Sequence, residues 1–134
     1  MTSGRTIALL STAAGLALLL VSPSFGKDGD VLVRGSCSST SSSKLKLSEE
    51  DGRIEVEFEV DQNRNGVRWT VSLRRVTAAG PRVLASGTRI TRAPSGSFEF
   101  RRVVADRAGA DTIRARATRA GEVCGATAVF RAGA

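Results

Sequence analysis

From Arg53 to Arg75 the chain alternates apolar and polar residues with a period of two. Ile54, Val56, Phe58 and Val60 interleave with Glu55, Glu57, Glu59 and Asp61, and after Asn65-Gly66 the residues Val67, Trp69, Val71 and Leu73 interleave with Arg68, Thr70, Ser72 and Arg74. That period describes two half-buried strands, each with one apolar face that another layer must cover. Weaker alternations recur on both sides. Val31–Val33 opens a short strand leading to Cys37, and Lys44–Leu47 alternates after a serine-rich connector, Ser38–Ser43. Val83–Thr91 is predicted as an edge strand. Phe98 and Phe100 mark another, bent near Arg101-Arg102, and Ile113–Ala117 and Val123–Phe130 close the series. Turn residues punctuate them: Asp51-Gly52, Gly80-Pro81, Pro94-Ser95-Gly96 and Ala120-Gly121. About seven to eight short strands and no sustained helical period argue an all-β antiparallel sandwich.

The first residues follow a different pattern. Arg5, an apolar run from Ile7 to Val21 and the small residues Ser24 and Gly26 read as a signal peptide over residues 1–26. The apolar run is short for a membrane span, so the mature chain, residues 27–134, is expected to be a secreted, single-domain protein with no span of its own. An oxidising destination makes the two cysteines, Cys37 and Cys124, a disulfide pair. Closing so long a loop stabilises a fold by roughly 4–5 kcal/mol in the chain-entropy account.

Charge is unevenly distributed. Lys27–Asp61 holds five basic and nine acidic residues, whereas Gln62–Ala134 holds fourteen arginines and four acids, within a whole-chain net charge of +7. Strand pairing can set the Glu row beside Arg rows and neutralise both. The alternative is an Arg-rich face for a polyanion, with Arg101, Arg102, Arg114, Arg116 and Arg119 as its candidates. Aromatic residues are too few for a base-stacking platform, so anionic extracellular polymers fit better than specific nucleic-acid binding.

Catalytic chemistry finds little material. There is no His and no Tyr, and a disulfide consumes both cysteines. Ser41-Ser42-Ser43-Lys44 formally matches a Ser-x-x-Lys acyl-transfer pattern but sits in a serine tract. Glu55, Glu57 and Glu59 share a face, as paired carboxylates of glycosidases do, yet also as any solvated strand face does. Asp61, Asn63 and Asn65 with Gly66 copy the start of a calcium loop, D-x-N-x-N-G. The closing Glu is replaced by Ser72, Arg64 and Arg68 add positive charge, and an Asn-Gly turn explains the same residues. The chain is therefore read as non-enzymatic, with no cofactor and no metal.

The segment DRAGADTIRARAT, Asp106–Thr118, resembles the corner and penultimate strand of bacterial immunoglobulin-like modules. Together with the Cys37 region, DGRIEVEFEVDQNRNGVRW and SGSFEFRR, most of Val31–Phe130 is similar to small secreted actinobacterial proteins of unknown function. The resemblance implies an immunoglobulin-like sandwich and secretion, not an activity. Cys37 and Cys124 depart from it, since they fall on the first and last strands instead of bridging the sheets around a central Trp. It also bears on the central strands. A two-residue hairpin at Asn65-Gly66 would face Phe58 with Leu73 and Glu57 with Arg74, whereas an immunoglobulin-type connection would cross to the opposite sheet. The crossing is preferred. The function implied is a secreted, non-catalytic module that binds a protein or a cell-envelope component; the alternative is a structural or polyanion-binding protein acting through its Arg face.

The loop reading predicts the outcome of a calcium titration. Calorimetry on the purified protein should show no micromolar affinity for calcium; such an affinity, abolished by Asp61→Ala, would establish an ion site in place of a turn.

Overall fold

The computed structural model describes residues 29–132, all of whose regular structure is β. The signal peptide read over residues 1–26 lies outside the described residues. Nine strands form: β1 (Val31–Arg34), β2 (Ser36–Cys37), β3 (Ser42–Glu50), β4 (Arg53–Asp61), β5 (Arg68–Thr77), β6 (Gly80–Ile90), β7 (Ser97–Ala105), β8 (Ala110–Arg119) and β9 (Glu122–Arg131). They make two antiparallel sheets, ordered β1-β3-β4-β7 and β2-β9-β8-β5-β6. The expected sandwich is present, with more strands than the seven to eight predicted.

The extra strand comes from the N-terminal segment, which divides between the sheets. β1 pairs with β3, the chain turns at Gly35, and β2 pairs with β9. Gly35 is needed at this switch. A Cβ there would lie 2.5 Å from the Gly125 carbonyl oxygen and overlap the Ser43 hydroxyl. The serine tract is also more ordered than its composition suggests, because Ser42 and Ser43 already belong to β3. β7 shows no break at Arg101-Arg102; its register with β4 runs unbroken from Ser97 opposite Asp61 to Ala105 opposite Arg53.

β4 and β5 lie in opposite sheets, so the crossing holds and the hairpin does not. Phe58 sits between Leu45 and Phe100, while Leu73 sits between Ala85 and Ala115. The crossing loop is clasped to the loop that follows β6. Gly66 N donates to Thr91 O at 2.8 Å, and Thr91 N donates to Val67 O at 2.9 Å. The buried Thr91 hydroxyl accepts from Val67 N at 2.9 Å and donates to Arg64 O at 2.5 Å. Gln62 N reaches Gly96 O at 3.0 Å, and a Cβ at Gly96 would collide with the Arg64 backbone. The backbone groups that a hairpin ladder would have satisfied are met by this second loop.

Every side chain expected in the core is there: Val56, Phe58, Val60, Trp69, Val71, Leu73, Phe98, Phe100, Ile113 and Phe130 are buried. The four-stranded sheet contributes Leu45, Leu47, Ile54, Phe98 and Phe100 to the core, and the five-stranded sheet contributes Trp69, Leu73, Ile113 and Phe130 together with the small Ala115, Ala117, Ala126 and Ala128. Trp69 meets Phe98 across the layers with ring centroids 6.0 Å apart. Cys37 and Cys124 are direct register partners, Cα atoms 4.0 Å apart, and are bonded to each other. The disulfide thus lies within one sheet and closes a sequence separation of 87 residues.

Truncating Phe58 to Ala should cost about 3–5 kcal/mol in urea unfolding. Glu57→Ala should cost under about 1 kcal/mol, because its ion pairs are long and partly solvated. Equal losses would contradict the inside-outside assignment of β4.

Candidate polyanion-binding face

The outer faces of the two sheets carry different charge. On the four-stranded sheet, register places Lys44 beside Glu59, Lys46 beside Glu57, and Glu57 beside Arg101. Lys44 pairs with Glu59 at 3.2 Å, Lys46 with Asp30 at 3.4 Å and Glu57 at 3.7 Å, and Arg101 with Glu55. The Arg101 hydrogen bond lowers the Glu55 carboxyl, while partial burial and then the Glu55 neighbour push Glu57 up. The Glu row, expected to be simply solvated, is half-buried beneath these cations. These cations offset much of its charge, and Glu57 and Glu59, with Glu99, Lys44 and Lys46, line a pocket of about 280 Å³.

The five-stranded sheet presents the opposite case. Outward positions of β5 and β8 bring Arg74 directly opposite Arg114, and Ser72 opposite Arg116. Arg114 and Arg116, two residues apart on one strand, are spaced by about 7 Å. Across the next strand pair, Thr127 faces Arg114 and Gly125 faces Arg116. No Asp or Glu occupies an outward position of β5, β6, β8 or β9; the acids on these strands, Asp111 and Glu122, are buried. Among the described residues no carboxylate lies within ion-pair distance of Arg34, Arg74, Arg114 or Arg116.

Of the five arginines nominated from sequence, this face holds Arg114 and Arg116. Arg101 belongs to the other sheet and its Glu partners. Arg102 points inward at the open edge, its guanidinium 4.3 Å from the Phe100 ring centroid, with Arg89 on the same ring at 4.6 Å. Arg119 has the parity opposite to Arg116; it stacks on Trp69 at 5.4 Å and bonds Glu122 at 3.1 Å. The three cap aromatic side chains. Arg74 was missed as a member because its outward parity could be read, but its β8 neighbour could not. Arg34 also joins: it lines a groove of about 530 Å³ with Ser36, Arg114, Arg116 and Thr127, floored by Gly125.

The remaining candidates have structural occupations. Ser41 and Lys44 do not face each other: the Ser41 hydroxyl donates to Glu122 at 2.7 Å, while Lys44 bonds Glu59. Asp61 accepts from Asn63 N at 2.9 Å, and the following Gln62 accepts from Trp69 Nε1 at 3.1 Å. With the Arg64 carbonyl taken by Thr91, the Asp61, Asn63, Asn65 stretch is built as the crossing loop. Cys37, Glu122 and Cys124 cluster closely enough for a metal, but both sulfurs are bonded to each other. Sequence reasoning also passed over a buried ion pair, Arg75 Nε to Asp111 Oδ1 at 2.9 Å. Continuing the parity of Trp69, Val71 and Leu73 by one step would have pointed Arg75 inward.

No protein-family model, curated protein or solved structure matches the chain. No helix among the described residues is long and apolar enough to cross a membrane.

Burial opposes ionisation of Glu122, but hydrogen bonds from the Ser41 hydroxyl and backbone, then from Arg119, outweigh it and hold the carboxyl below its ordinary value. A depressed folded-state value contributes stability that is present above the unfolded value and lost as pH falls through the folded one. Glu122→Gln should therefore lose about 1–3 kcal/mol at about pH 7, and the gap to wild type should narrow as pH falls below the ordinary carboxylate range. Urea unfolding at neutral and acid pH measures this. A gap that widened in acid would reverse the assignment.

Proposed function

We propose that the chain is a secreted, non-catalytic immunoglobulin-like module that binds an anionic cell-envelope polymer through the outer face of its five-stranded sheet. One observation carries this reading: Arg74, Arg114 and Arg116 share a surface without acids, while Lys44, Lys46 and Arg101 of the other sheet are paired with carboxylates. Holding like charges side by side is unfavourable in a folded protein unless a counter-charge arrives from outside. Hydroxyls of Ser72, Thr70 and Thr127 stand among the arginines and add neutral donors for oxyanions. The absence of His and Tyr, together with the internal use of the Glu row and both cysteines, supports a binding role over a catalytic one. A protein partner is the second reading, favoured by Val123 and Val129, which stay exposed on the same face.

Elution from a sulfated-polysaccharide matrix tests the proposal. Wild type should require substantially more salt than the triple variant Arg74→Ala, Arg114→Ala, Arg116→Ala, and Arg101→Ala should elute with wild type. Arginine keeps its charge throughout the neutral range, so retention should not change between about pH 6 and pH 8. Equal retention of wild type and the triple variant would remove the functional face.

A further inference from the structure

We infer that the groove over Gly125 is the seat of a single phosphodiester unit of such a polymer, with Arg34, Arg114 and Arg116 as its guanidinium ligands. This rests on the functional reading above and adds a location and a ligand chemistry to it. Three features of the groove lead there.

The first is convergence. Arg114 and Arg116 come from β8, Ser36 from β2, and Arg34 from the end of β1 in the other sheet, at the edge where it also lines the adjoining pocket with Lys44, Glu59 and Asp61. They come together because Gly35 carries the chain from one sheet to the other beside this groove. The second is space. Gly125 occupies an outward position between its register partners Arg116 and Ser36, so the sheet has a gap in its side-chain cover where the cations gather. A Cβ built there would meet nothing nearer than the Ala115 carbonyl oxygen at 3.4 Å, an ordinary contact. The fold therefore does not require glycine at this position, and the gap needs another reason.

The third is donor count. Three forked guanidiniums, with the Ser36 and Thr127 hydroxyls beside them, offer more donors than the two oxygens of one carboxylate can accept. A phosphate group has more oxygens and suits planar bidentate donors approaching from several sides. At about 530 Å³ the groove also has room for the polyol or sugar flanking the phosphate. Base recognition is not supported, because Trp69, Phe58, Phe98, Phe100 and Phe130 are all buried and leave no stacking surface among the described residues.

The experiment is calorimetric titration of the mature protein with a synthetic glycerol-phosphate oligomer, beside a polyuronate oligomer of equal charge. Gly125→Val fills the groove with a residue suited to a strand, and Arg116→Ala removes one ligand. Both should keep the wild-type melting temperature and weaken glycerol-phosphate binding at least tenfold, with Arg101→Ala unchanged. Polyuronate should bind wild type more weakly and be indifferent to Gly125→Val. Undiminished glycerol-phosphate binding by Gly125→Val would overturn the seat, while the Arg face would survive if the triple Arg variant still lost retention. Equal affinity for polyuronate would overturn the phosphodiester assignment alone. Tighter, Gly125→Val-sensitive binding to duplex DNA or to phosphatidylglycerol vesicles would overturn the polymer as its source. No binding by wild type to either oligomer, together with no salt-dependent matrix retention, would bring down the functional reading itself.

Discussion

Thr91 clasps the crossing loop and so holds β5 in the sheet opposite β4. β4 and β5 are both amphipathic and adjacent in sequence, and an Asn-Gly dipeptide between them could have paired them as a hairpin. In that arrangement Glu57 would have faced Arg74 and paired with it. The loop is instead held by Thr91, through backbone bonds in both directions and a hydroxyl that both accepts and donates. The consequence is electrostatic as well as topological. The Glu row goes to one sheet, where Lys44, Lys46 and Arg101 meet it, and Arg74 goes to the other, where its neighbour is Arg114.

The N-terminal segment repeats the logic at the other edge. Gly35 permits the close approach to Gly125 and Ser43 that a switch between sheets demands, and the Cys37–Cys124 bond fixes the short strand that follows. A two-residue strand contributes few ladder bonds, so a covalent tie to β9 replaces what length would otherwise provide. Glu122 adds a polar tie, drawing Ser41 and Arg119 onto one buried carboxylate. The same switch sets Arg34 beside the Gly125 groove, so a device that closes the fold also shapes a cationic concavity.

Buried charge is handled by pairing. Arg75 and Asp111 meet at 2.9 Å with almost no exposure, Arg75 also donates to the Ala105 carbonyl, and Asp111 accepts from Arg107 N at 3.0 Å. Such a pair adds little net stability against an apolar substitute, yet loss of one partner leaves the other charged and dry. Burial, and then the Asp111 carboxylate, raise the carboxyl of the neighbouring Asp106 above its ordinary value.

Much of the architecture follows from local pattern. Period-two alternation assigns the strands from Ile54 to Phe130 and the side chains they bury, because successive side chains must leave a strand on opposite faces. Parity pairs the two cysteines, since no third thiol competes. What alternation cannot supply is the neighbour. Arg101, Arg114 and Arg119 look alike in sequence, yet one pairs with Glu55, one stands beside Arg74, and one stacks on Trp69. Which strand lies alongside which is decided by long-range backbone hydrogen bonds and by the covering of apolar faces, both of which join residues far apart in the chain. The acid-free Arg face is therefore a product of tertiary structure: local alternation sets which side chains point outward, and the order of strands in the two sheets sets which charges they meet there.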